Sequence, residues 1–374
     1  MKNDKDGFPR IKEFDTMEGK RRRLRYLVIS IGAFLLMICV FLILFMAYQR
    51  YGQARLANYA ATHDGPDIES LQADIVMGGW AEEYAELADG QLYYKGKLYE
   101  FNEDNLVFLL LGVDSSDGIK EVKQPGLAGH ADTIALVVFD EVTKSLKMIY
   151  LSRSIMVPVQ TYCMDGFYTG RQEMQLALQY AYGDNREKSI RFMEEAVSKL
   201  FYGIPIHGSV ALEMQGVAVL NDMIGGVKVT VIEDLSKSDH SHLNEGKTVI
   251  LSGDEALTYV RYRNREVAGS NSLRMERQKQ YITAFFAGVR TKTREQWSFP
   301  IRLYGVAKDH ILTGITADQV AYLSTAVLGS SFSDNDIIPL VGTLTSPTHI
   351  EEFRVDEEEL FDLIVNIFYR EVTD

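Results

Sequence analysis

Short, strongly apolar runs recur along most of the chain and predict the strands of a buried sheet. Residues 106–113 read LVFLLLGV, a continuous apolar run typical of a strand that is buried on both faces. Residues 133–139 and 146–151 repeat this pattern and are separated by a polar connection of hairpin length. Residues 227–232 alternate as a half-buried strand, and 337–341 form a further apolar run. These segments predict the core of one sheet.

Segments with helical periodicity lie between these strands. Residues 252–255 read Ser-Gly-Asp-Glu, a capping box that marks the start of a helix. Residues 273–290 are predicted as a helix whose buried stripe consists of Met275, Ile282, Phe286 and Val289. Other predicted helices are 173–182, 188–201, 211–224, 317–328 and 357–368. Because strands and helices interleave, we expect an α/β fold, an α-β-α sandwich with a mixed central sheet, formed by one domain at 105–374.

The pattern near the start of the chain is different and predicts a membrane anchor. Residues 26–48 contain no charged side chain. At roughly 1.5 Å per residue this run spans about 34 Å, against about 30 Å for the hydrocarbon core of a bilayer. A cleaved signal peptide is the alternative, but its apolar region is shorter, about 7–15 residues, and ends in a small-residue cleavage site that this segment lacks. We therefore expect an uncleaved transmembrane helix.

The flanking charges predict the orientation of this anchor. Lys20, Arg21, Arg22, Arg23 and Arg25 precede the run closely, whereas the positive residues just after it are fewer. Positive residues stay on the cytoplasmic side. The expected protein is therefore a single-pass cell-membrane protein with a cytoplasmic tail at 1–25 and an extracellular domain. Residues 49–104 form an extracellular juxtamembrane accessory segment, in which 92–101 read as two strands about a tight turn.

Charge and cysteine content narrow the functional classes. The formal net charge is -13. This argues against a nucleic-acid partner and against contact with anionic membrane lipid away from the anchor. Cys39 lies in the apolar run and Cys163 stands alone outside it, so no intramolecular disulfide is expected in the extracellular part. Burial of apolar side chains must hold that part together.

Against this acidic background, residues 256–281 are rich in arginine. Arginine binds phosphate and carboxylate groups through paired hydrogen bonds because its guanidinium is a rigid, permanently charged fork. An ordinary solvated helix face is the alternative interpretation. The concentration within an acidic chain favours an anion site, and its arginines are Arg261, Arg263, Arg265, Arg274 and Arg277.

Several motifs along the chain carry a family resemblance. They are Leu-Gly-Val-Asp at 111–114, Ala-Asp-Thr at 131–133, Leu-Ser-Arg at 151–153, Gly-Gly-Val at 225–227, Gly-Asp-Glu-Ala-Leu-Thr-Tyr-Val-Arg-Tyr-Arg at 253–263 and Arg-Met-Glu-Arg-Gln at 274–278. In this order and spacing the chain resembles the LytR-CpsA-Psr family over about residues 106–289. The Arg-Tyr-Arg and Arg-x-x-Arg-Gln pair is the most specific part. The predicted anchor and external domain fit the same family.

The resemblance implies a membrane-anchored phosphotransferase of Gram-positive cell-wall biogenesis. Such an enzyme moves an anionic glycopolymer, of the teichoic acid or capsule type, from a polyprenyl pyrophosphate carrier to peptidoglycan. Hydrolysis of the polyprenyl pyrophosphate would be an accompanying activity. Apolar walls from the sheet and the helices would shelter the isoprenoid tail. The alternative is a binding module that retains affinity for polyprenyl pyrophosphate without turnover and acts in envelope assembly or regulation.

The same resemblance assigns roles to individual residues. Asp114 and Asp132 would hold Mg²⁺, an ion that prefers oxygen ligands and is often bound through carboxylates and substrate phosphates. An aspartate at a strand end is otherwise usually a turn former or a helix cap. The catalytic phosphate clamp would comprise Arg153, Arg261, Arg263 and Arg274, with Arg277, Gln278 and His130 as further phosphate-binding residues.

The chain departs from the family pattern at several positions. His130 stands where an arginine is usual, and Ser154 follows Arg153 where an aspartate is usual. Gln175 occupies the position of a lysine, and residues 269–271 replace a Gly-Asp pair. The main arginines and both aspartates are present, which favours an enzyme. The changed positions are the feature that favours the binding module.

Overall fold

The structure is a computed structural model that describes residues 37, 40, 42–58, 65–81, 87–114, 120–263, 270–330, 332–346 and 351–373. The chain divides into two units, Met1–Tyr51 and Gly52–Asp374. The described residues of the first unit are helical and mostly exposed. The predicted tail 1–25 and most of the predicted span 26–48 lie outside the described residues. No helix among the described residues is both long and apolar enough to cross a membrane.

The second unit has a mixed α/β fold. Its described helices are α1 (Ile68–Met77), α2 (Ala177–Ala181), α3 (Glu187–Leu200), α4 (Met214–Met223), α5 (Gly253–Arg261), α6 (Ser270–Glu295), α7 (Phe299–Ala307), α8 (Ala317–Ala326) and α9 (Glu357–Phe368). Its described strands are β1 (Gln91–Tyr94), β2 (Lys97–Phe101), β3 (Asn105–Asp114), β4 (His130–Asp140), β5 (Leu146–Leu151), β6 (Met156–Tyr162), β7 (Tyr168–Gln175), β8 (Gly208–Glu213), β9 (Val227–Thr230), β10 (Thr248–Leu251), β11 (Ile311–Thr313), β12 (Ile337–Pro339), β13 (Gly342–Thr345), β14 (Glu352–Val355) and β15 (Tyr369–Glu371).

The main sheet has the strand order β11-β8-β3-β4-β5-β12. The pairs β3·β8 and β5·β12 are parallel, whereas β3·β4, β4·β5 and β8·β11 are antiparallel. The sheet is therefore mixed, as predicted. The carboxyl ends of β3, β5, β8 and β12 and the amino ends of β4 and β11 lie along one edge, which we call the site edge. The opposite edge is the far edge.

The two faces of this sheet are covered differently. On the closed face, side chains such as Leu109, Ile134 and Ile149 are fully buried against α2, α3 and α9. On the open face, α6 and α8 cover the sheet, and Leu110 of β3 and Phe286 of α6 stay only partly buried. Since side chains alternate along a strand, Leu109 and Leu110 belong to opposite faces. A third apolar cluster joins α4, α5, α6 and α7 to the β9–β10 hairpin.

Most predicted elements are present, but two segments differ. The strand at 146–151 and the helix at 357–368 have the predicted bounds. Residues 173–175, predicted as helical, belong to β7, which pairs with β6 in a separate two-stranded sheet, and only Ala177–Ala181 is helical. Residues 211–213, also predicted as helical, complete β8 beside β3. In both places strand pairing with a distant segment outweighs local helical periodicity.

The segment before the main sheet joins the end of the chain. The predicted hairpin at 92–101 is formed by β1 and β2. β2 also pairs with β15, so residues near the start and the end of the second unit share one sheet. Trp80 packs edge-on against Phe361 of α9, with ring centroids 5.1 Å apart. These contacts place residues 65–81 and 87–101 against the closed-face helices of the second unit.

Candidate active site

Titratable residues from distant parts of the chain collect at the site edge of the main sheet. The cause is topology, because the ends of strands that are neighbours in the sheet meet at the same edge whatever their separation in sequence. The residues are Asp114 at the end of β3, His130 and Asp132 at the start of β4, Arg153 just after β5, Glu213 at the end of β8 and His310 just before β11.

A β-bulge sets the side-chain directions at the start of β4. The register between β3 and β4 steps near their ends and leaves Asp132 as the additional residue. The alternation therefore shifts by one position, which puts Ala131 in the closed-face core and His130 directly opposite Asp114. Bulges are frequent beside active sites because they redirect single side chains. Here the bulge lets consecutive polar residues remain partly exposed at the edge.

Two aspartates at this edge are each paired with an arginine. Arg153 donates through Nη1 to Oδ1 of Asp132 at 2.5 Å, and their side chains are 31% and 20% exposed. Arg261, at the end of α5, donates through Nη2 to Oδ1 of Asp114 at 3.4 Å, and both side chains are about half exposed. The first pair is short and partly shielded, whereas the second is long and solvated. A negatively charged ligand can therefore compete with the aspartates for both arginines.

A third arginine is paired with a glutamate that directly precedes β14. Arg263 donates through Nη2 to Oε1 of Glu351 at 3.0 Å. Gln175, at the end of β7, donates to the backbone carbonyl of Glu351 at 2.6 Å and lies 3.5 Å from the hydroxyl of Ser154. Two positions that depart from the family pattern, Ser154 and Gln175, therefore meet in space. They also connect the segment after Arg153 to the residue that binds Arg263.

Arg274 lies on α6 within electrostatic reach of the other charges. Burial lowers the pKa of its guanidinium, and repulsion by Arg263 and Arg153 acts in the same direction. The negative charge of Asp132 opposes this shift. Arginine remains protonated in spite of such a shift because its ordinary pKa is so high. Arg274 is thus close enough to Arg153 and Arg263 for their positive charges to repel.

Arg277, one turn further along α6, has a different environment. Its side chain is fully buried, and its Nε lies 3.1 Å from a carboxylate oxygen of Glu233. Its two terminal nitrogens donate to the backbone carbonyls of Tyr259 and Tyr262 at the end of α5. Burial lowers its pKa, and Glu233 opposes the shift. Arg277 was expected to contact phosphate, but its donors are committed to these groups and it supports the site from behind.

The contacts of Arg277 also fix the conformation of the Arg-Tyr-Arg motif at 261–263. α5 continues to Arg261, and the chain leaves the helix at Tyr262, whose φ is -53° and whose ψ is 133°. The last carbonyls of a helix need donors, and Arg277 supplies them for this helix. The end of α5 is thereby fixed at the position from which Arg261 and Arg263 project.

Gln278 joins the site to the open face. Its amide nitrogen donates to the carbonyl of Val260 at 3.0 Å, and its amide oxygen accepts from the hydroxyl of Tyr150 at 2.6 Å. Burial raises the pKa of Tyr150 to about 12, so this hydroxyl stays protonated and remains a donor. Both ends of the Gln278 side chain are therefore held in place. The Gln278 side chain therefore has a fixed position between the arginines and the space behind them.

That space is an apolar cavity of about 280 Å³ between the open face and helices α4, α5 and α6. Its polar lining is limited mainly to Thr133, Glu213, Arg261 and Gln278. The rest is aliphatic and aromatic, including Leu110, Ile282 and Phe286. Ligand pockets of proteins commonly combine such apolar walls with a few polar groups that orient the ligand. The cavity lies next to the site-edge arginines, since Arg261 and Gln278 are part of its lining.

Glu213 and His310 are residues of the edge that the sequence analysis did not select. Oε1 of Glu213 lies 2.5 Å from Nδ1 of His310, and Glu213 also lines the cavity. Glu213 is only 8% exposed, so its carboxylate needs a hydrogen-bond partner, and the ring of His310 supplies one. Residues 211–213 were predicted as part of a helix, so no strand pattern in the sequence marked Glu213 as the end of a strand.

The donor set of the site fits a magnesium ion. No group of three or more His, Cys, Asp or Glu side chains among the described residues is arranged to hold a metal by itself. Asp114 and Asp132 nevertheless offer carboxylates from adjacent strand ends. Magnesium is usually held by one or two carboxylates together with substrate phosphates rather than by a cage of protein ligands alone. Two carboxylates beside an anion site agree with that preference.

Sequence comparisons give the site its family context. The model of the LytR_cpsA_psr family matches residues 81–341, which is more than half of the chain. The polyisoprenyl-teichoic acid–peptidoglycan teichoic acid transferase TagU of Halalkalibacterium halodurans is 28% identical over 183 residues, or 49% of this chain and 52% of that protein. The corresponding transferase TagV of Bacillus subtilis is 26% identical over 227 residues, or 55% and 54% of the two proteins. The chain thus spans about half the length of these curated relatives.

The fold agrees with these relatives. The crystal structure of Bacillus subtilis TagV aligns with a TM-score of 0.53 and 22% identity, covering 70% of this chain and 96% of that one. At this level of identity the likeness concerns the fold. Together with the extent of the family match, the mixed sheet and the residues at its site edge lead to one conclusion: the chain belongs to the LytR_cpsA_psr family.

Proposed function

We propose that this protein transfers an anionic glycopolymer of the teichoic acid or capsule type from a polyprenyl pyrophosphate carrier to peptidoglycan. One observation carries the proposal. Arg153 and Arg261 pair with two aspartates at the site edge, Arg274 lies within electrostatic reach of Arg153 and Arg263, and an apolar cavity opens behind them. A diphosphate joined to an isoprenoid has the same division into a charged and an apolar part. The relatives named as teichoic acid transferases support this substrate class.

In the proposed complex the isoprenoid enters the apolar cavity and the diphosphate lies among the arginines. Arg153 and Arg261 exchange their aspartate partners for phosphate oxygens, and Arg263 exchanges Glu351. Arg274 contributes charge from a partly buried position, where electrostatic interactions are stronger than in water. Asp114 and Asp132 then become available to hold Mg²⁺. When bound, this ion offsets the negative charge of the diphosphate oxygens.

The chemistry is a substitution at phosphorus. A hydroxyl of the acceptor forms a bond to the phosphorus that carries the glycopolymer, and the bond from that phosphorus to the bridging oxygen breaks. Polyprenyl monophosphate leaves, and the hydroxyl proton is released to a carboxylate at the edge or to water. The arginines position the diphosphate and stabilise the charge that develops on the leaving phosphate, which is the main contribution proteins make to phosphoryl transfer. Water in place of the acceptor would give hydrolysis.

The proposed location is the outer face of the cell membrane, with the anchor at 26–48 and the tail at 1–25 in the cytoplasm. The uncharged run and the positive residues before it support this topology. A protease added to intact cells should remove the second unit and leave an epitope tag at residue 1 protected. Loss of the tag under the same conditions would contradict the orientation.

A binding module without turnover is the second candidate. The neutral side chains of Ser154 and Gln175, and His130 in place of arginine, favour it. Fewer charges around the diphosphate would reduce stabilisation of the transition state more than binding of the ground state. Such a protein would hold polyprenyl pyrophosphate and leave it intact.

One experiment separates the two candidates. The full-length protein, purified in detergent, is incubated with Mg²⁺, a saccharide linked to polyprenyl pyrophosphate and peptidoglycan fragments. Release of polyprenyl monophosphate and a new phosphodiester on peptidoglycan are expected. Both should be lost in Asp132→Ala and retained in Glu371→Gln, which changes an exposed carboxylate that pairs with Lys97. Tight binding of a donor that stays intact would support the binding module instead.

A further inference from the structure

A second cavity lies behind the first on the open face. It has a volume of about 120 Å³ and is lined by α6, α8, the start of α7, β5 and residues just after α8. Its walls include Leu146, Val289, Val327 and Phe332, with Arg290 and Ser324 among the polar residues. It adds a little under half the volume of the first cavity. Phe286 lines both cavities, so its side chain forms a shared wall.

The order of residues along α6 shows how the two cavities relate to the anion site. Residues four apart lie on the same face of a helix, and each step advances about 6 Å. On one such row, Arg274 and Gln278 belong to the anion site, Ile282 lines the first cavity, and Phe286 lines both. The next residue of the row, Arg290, lines the second cavity. The second cavity therefore begins about 12 Å beyond Gln278.

The facing strand repeats this order. Tyr150 of β5 contacts Gln278, Met148 lines the first cavity, and Leu146 lines the second. All three point to the open face because they are two residues apart. Two independent elements therefore trace the same path, which leads from the arginines into the first cavity and on to the second. A ligand that entered the first cavity by its tail would meet Phe286 at the end.

The shared wall is a side chain rather than backbone. Phe286 packs edge-on against Phe332, with ring centroids 5.2 Å apart, and against Phe285 at 6.5 Å. Its side chain is only partly buried. A change of rotamer can therefore join the two cavities, whereas a wall of backbone would require the helix to move. At the distant end, Arg290 donates to the carbonyl of Ser330 at 2.5 Å, which commits one guanidinium nitrogen.

We infer that the second cavity is a distal subsite for the isoprenoid tail and that Phe286 sets the length of tail that the protein binds most tightly. The inference rests on the proposed function, since it concerns the tail of the same ligand. The hydrocarbon class follows from the lining, which is mainly apolar on both sides of the Phe286 ring. Short tails fill the first cavity. Longer tails displace the Phe286 ring and also occupy the second cavity.

Binding of isoprenyl pyrophosphates with two, three and four five-carbon units tests this inference in the full-length protein with Mg²⁺. Dissociation constants for geranyl, farnesyl and geranylgeranyl pyrophosphate are measured by competition with a fluorescent isoprenyl pyrophosphate. We expect affinity to rise about tenfold for the unit that enters the second cavity, the gain typical of five further buried atoms. The quantity compared among variants is the ratio of the four-unit to the two-unit dissociation constant.

Two variants should change this ratio in opposite directions. Ser324→Leu fills the second cavity and should remove the gain for the longest tail while leaving the two-unit ligand unaffected. Phe286→Ala removes the wall and should increase the gain. Thr325→Leu is the matched control, because Thr325 is the exposed neighbour of Ser324 on α8 and lies outside both linings. Melting temperatures of all variants show that each remains folded.

The outcomes separate this inference from the proposed function. If all three ligands bind and the ratio is the same in wild type, Ser324→Leu and Phe286→Ala, the distal subsite is wrong and the proposed function stands. If none of the three ligands binds to the wild-type protein, the proposed function itself is overturned, and the inference with it. A ratio that rises in Ser324→Leu, because the longest tail no longer binds more tightly, and is unchanged in Thr325→Leu supports the subsite.

Discussion

The two edges of the main sheet both carry aspartates paired with arginine, yet the pairs differ in how completely they are satisfied. At the far edge, Asp140 accepts hydrogen bonds from the backbone amides of Val142 and Thr143 at 2.8 and 2.7 Å. It also accepts from the side chains of Asn102 at 3.0 Å and Arg370 at 3.2 Å. At the site edge, a single guanidinium donates to Asp132 among the bonds described. The same residue types thus form a saturated pair at one edge and an exchangeable pair at the other.

The difference teaches how one sheet can separate stability from function. A carboxylate that accepts several hydrogen bonds in the folded state stabilises that state, because unfolding replaces these bonds with hydrogen bonds to water. The same hydrogen bonds lower its pKa in the folded state. A carboxylate with one donor leaves that donor available to a ligand. The far-edge pair ties Arg370 of the last strand to the core strands. The site-edge pairs keep arginines oriented without committing all of their donors.

The pair of Arg277 with Glu233 is the most buried of the pairs compared, because the Arg277 side chain is fully buried. The largest loss of stability is therefore expected when Arg277 is replaced. Arg277→Met removes the donors to Tyr259 and Tyr262 and leaves Glu233 without its cation. The free energy of unfolding should fall by about 3–5 kcal/mol, the loss typical of breaking one partner of a buried pair. Urea unfolding measures it. The control is Glu276→Gln, which changes an exposed residue on the same helix.

A double variant separates the effect of the unpaired Glu233 charge from the effect of the lost donors. In Arg277→Met/Glu233→Gln the orphaned charge is gone, so part of the lost stability should return. The carbonyls at the end of α5 would still lack their donor. A loss below about 1 kcal/mol in Arg277→Met would contradict the assignment of Arg277 as a structural residue, because surface charges typically contribute no more than that.

At the site edge, Arg153→Gln should affect function far more than stability. Removing one group that stabilises developing charge typically lowers a rate by about 10²–10³-fold, or about 2.7–4 kcal/mol. The pair with Asp132 is partly exposed, so the free energy of unfolding should change by less than about 1 kcal/mol. Glycopolymer transfer and urea unfolding are measured on the same preparation. Arg370→Gln is the matched far-edge variant and should leave transfer unchanged, because Arg370 pairs with Asp104 and Asp140 away from the site edge. Equal effects of both variants on transfer would remove the distinction between the two edges.

Asp140→Asn tests the far edge through pH. Burial acts to raise the pKa of Asp140, but hydrogen bonds led by the Thr143 amide outweigh it, and the pKa is lowered to about 2. A lowered pKa contributes stability above the ordinary value near 4, and this contribution is lost as the pH falls from about 4 to about 2. The variant should lose about 2 kcal/mol at pH 7 and less at pH 2. The free energy of unfolding of both proteins is measured at several pH values. A difference between the wild type and Asp140→Asn that is the same at pH 7 and at pH 2 would disprove this account.

The sequence predicted the elements of the fold where the local pattern and the packing agree. Residues 106–113 are apolar throughout and 146–151 are apolar except for Lys147 because both of their faces are buried, and the structure places β3 and β5 there. β7 was predicted in part as a helix because most of its side chains are exposed on both faces, so no alternation marks it as a strand. Its pairing with β6 is a tertiary contact that local periodicity does not encode.

For the site, the sequence predicted which residues gather but not how each is used. Arg274 and Arg277 belong to one motif and differ by one turn of helix, yet one lies among the site charges and the other is fully buried. The burial of Arg277 depends on Glu233 and the end of α5, which come from other segments of the chain. The roles of Glu213 and His310 likewise depend on the neighbouring strands β8 and β11. Such contacts are fixed by tertiary packing.

The smallest net effect is expected from exchanging Ser154 and Gln175 together. Ser154 is only 2% exposed, and Gln175 lies 3.5 Å from its hydroxyl. Ser154→Asp alone buries a carboxylate without a cation, and Gln175→Lys alone adds a charge next to the Arg263 pair, so each should destabilise the protein. The double variant restores the charge pattern usual in the family and should lie within about 1 kcal/mol of the wild type, with a coupling of about 0.5–3 kcal/mol between the two positions. Urea unfolding of all four proteins gives that coupling, and strictly additive effects would show that the two positions do not act as a pair.

Glycopolymer transfer by the double variant gives a separate answer about the site edge. If transfer rises, the neutral side chains of Ser154 and Gln175 limit the charge available there. If transfer is unchanged, Arg153, Arg261, Arg263 and Arg274 supply the charge that the reaction requires.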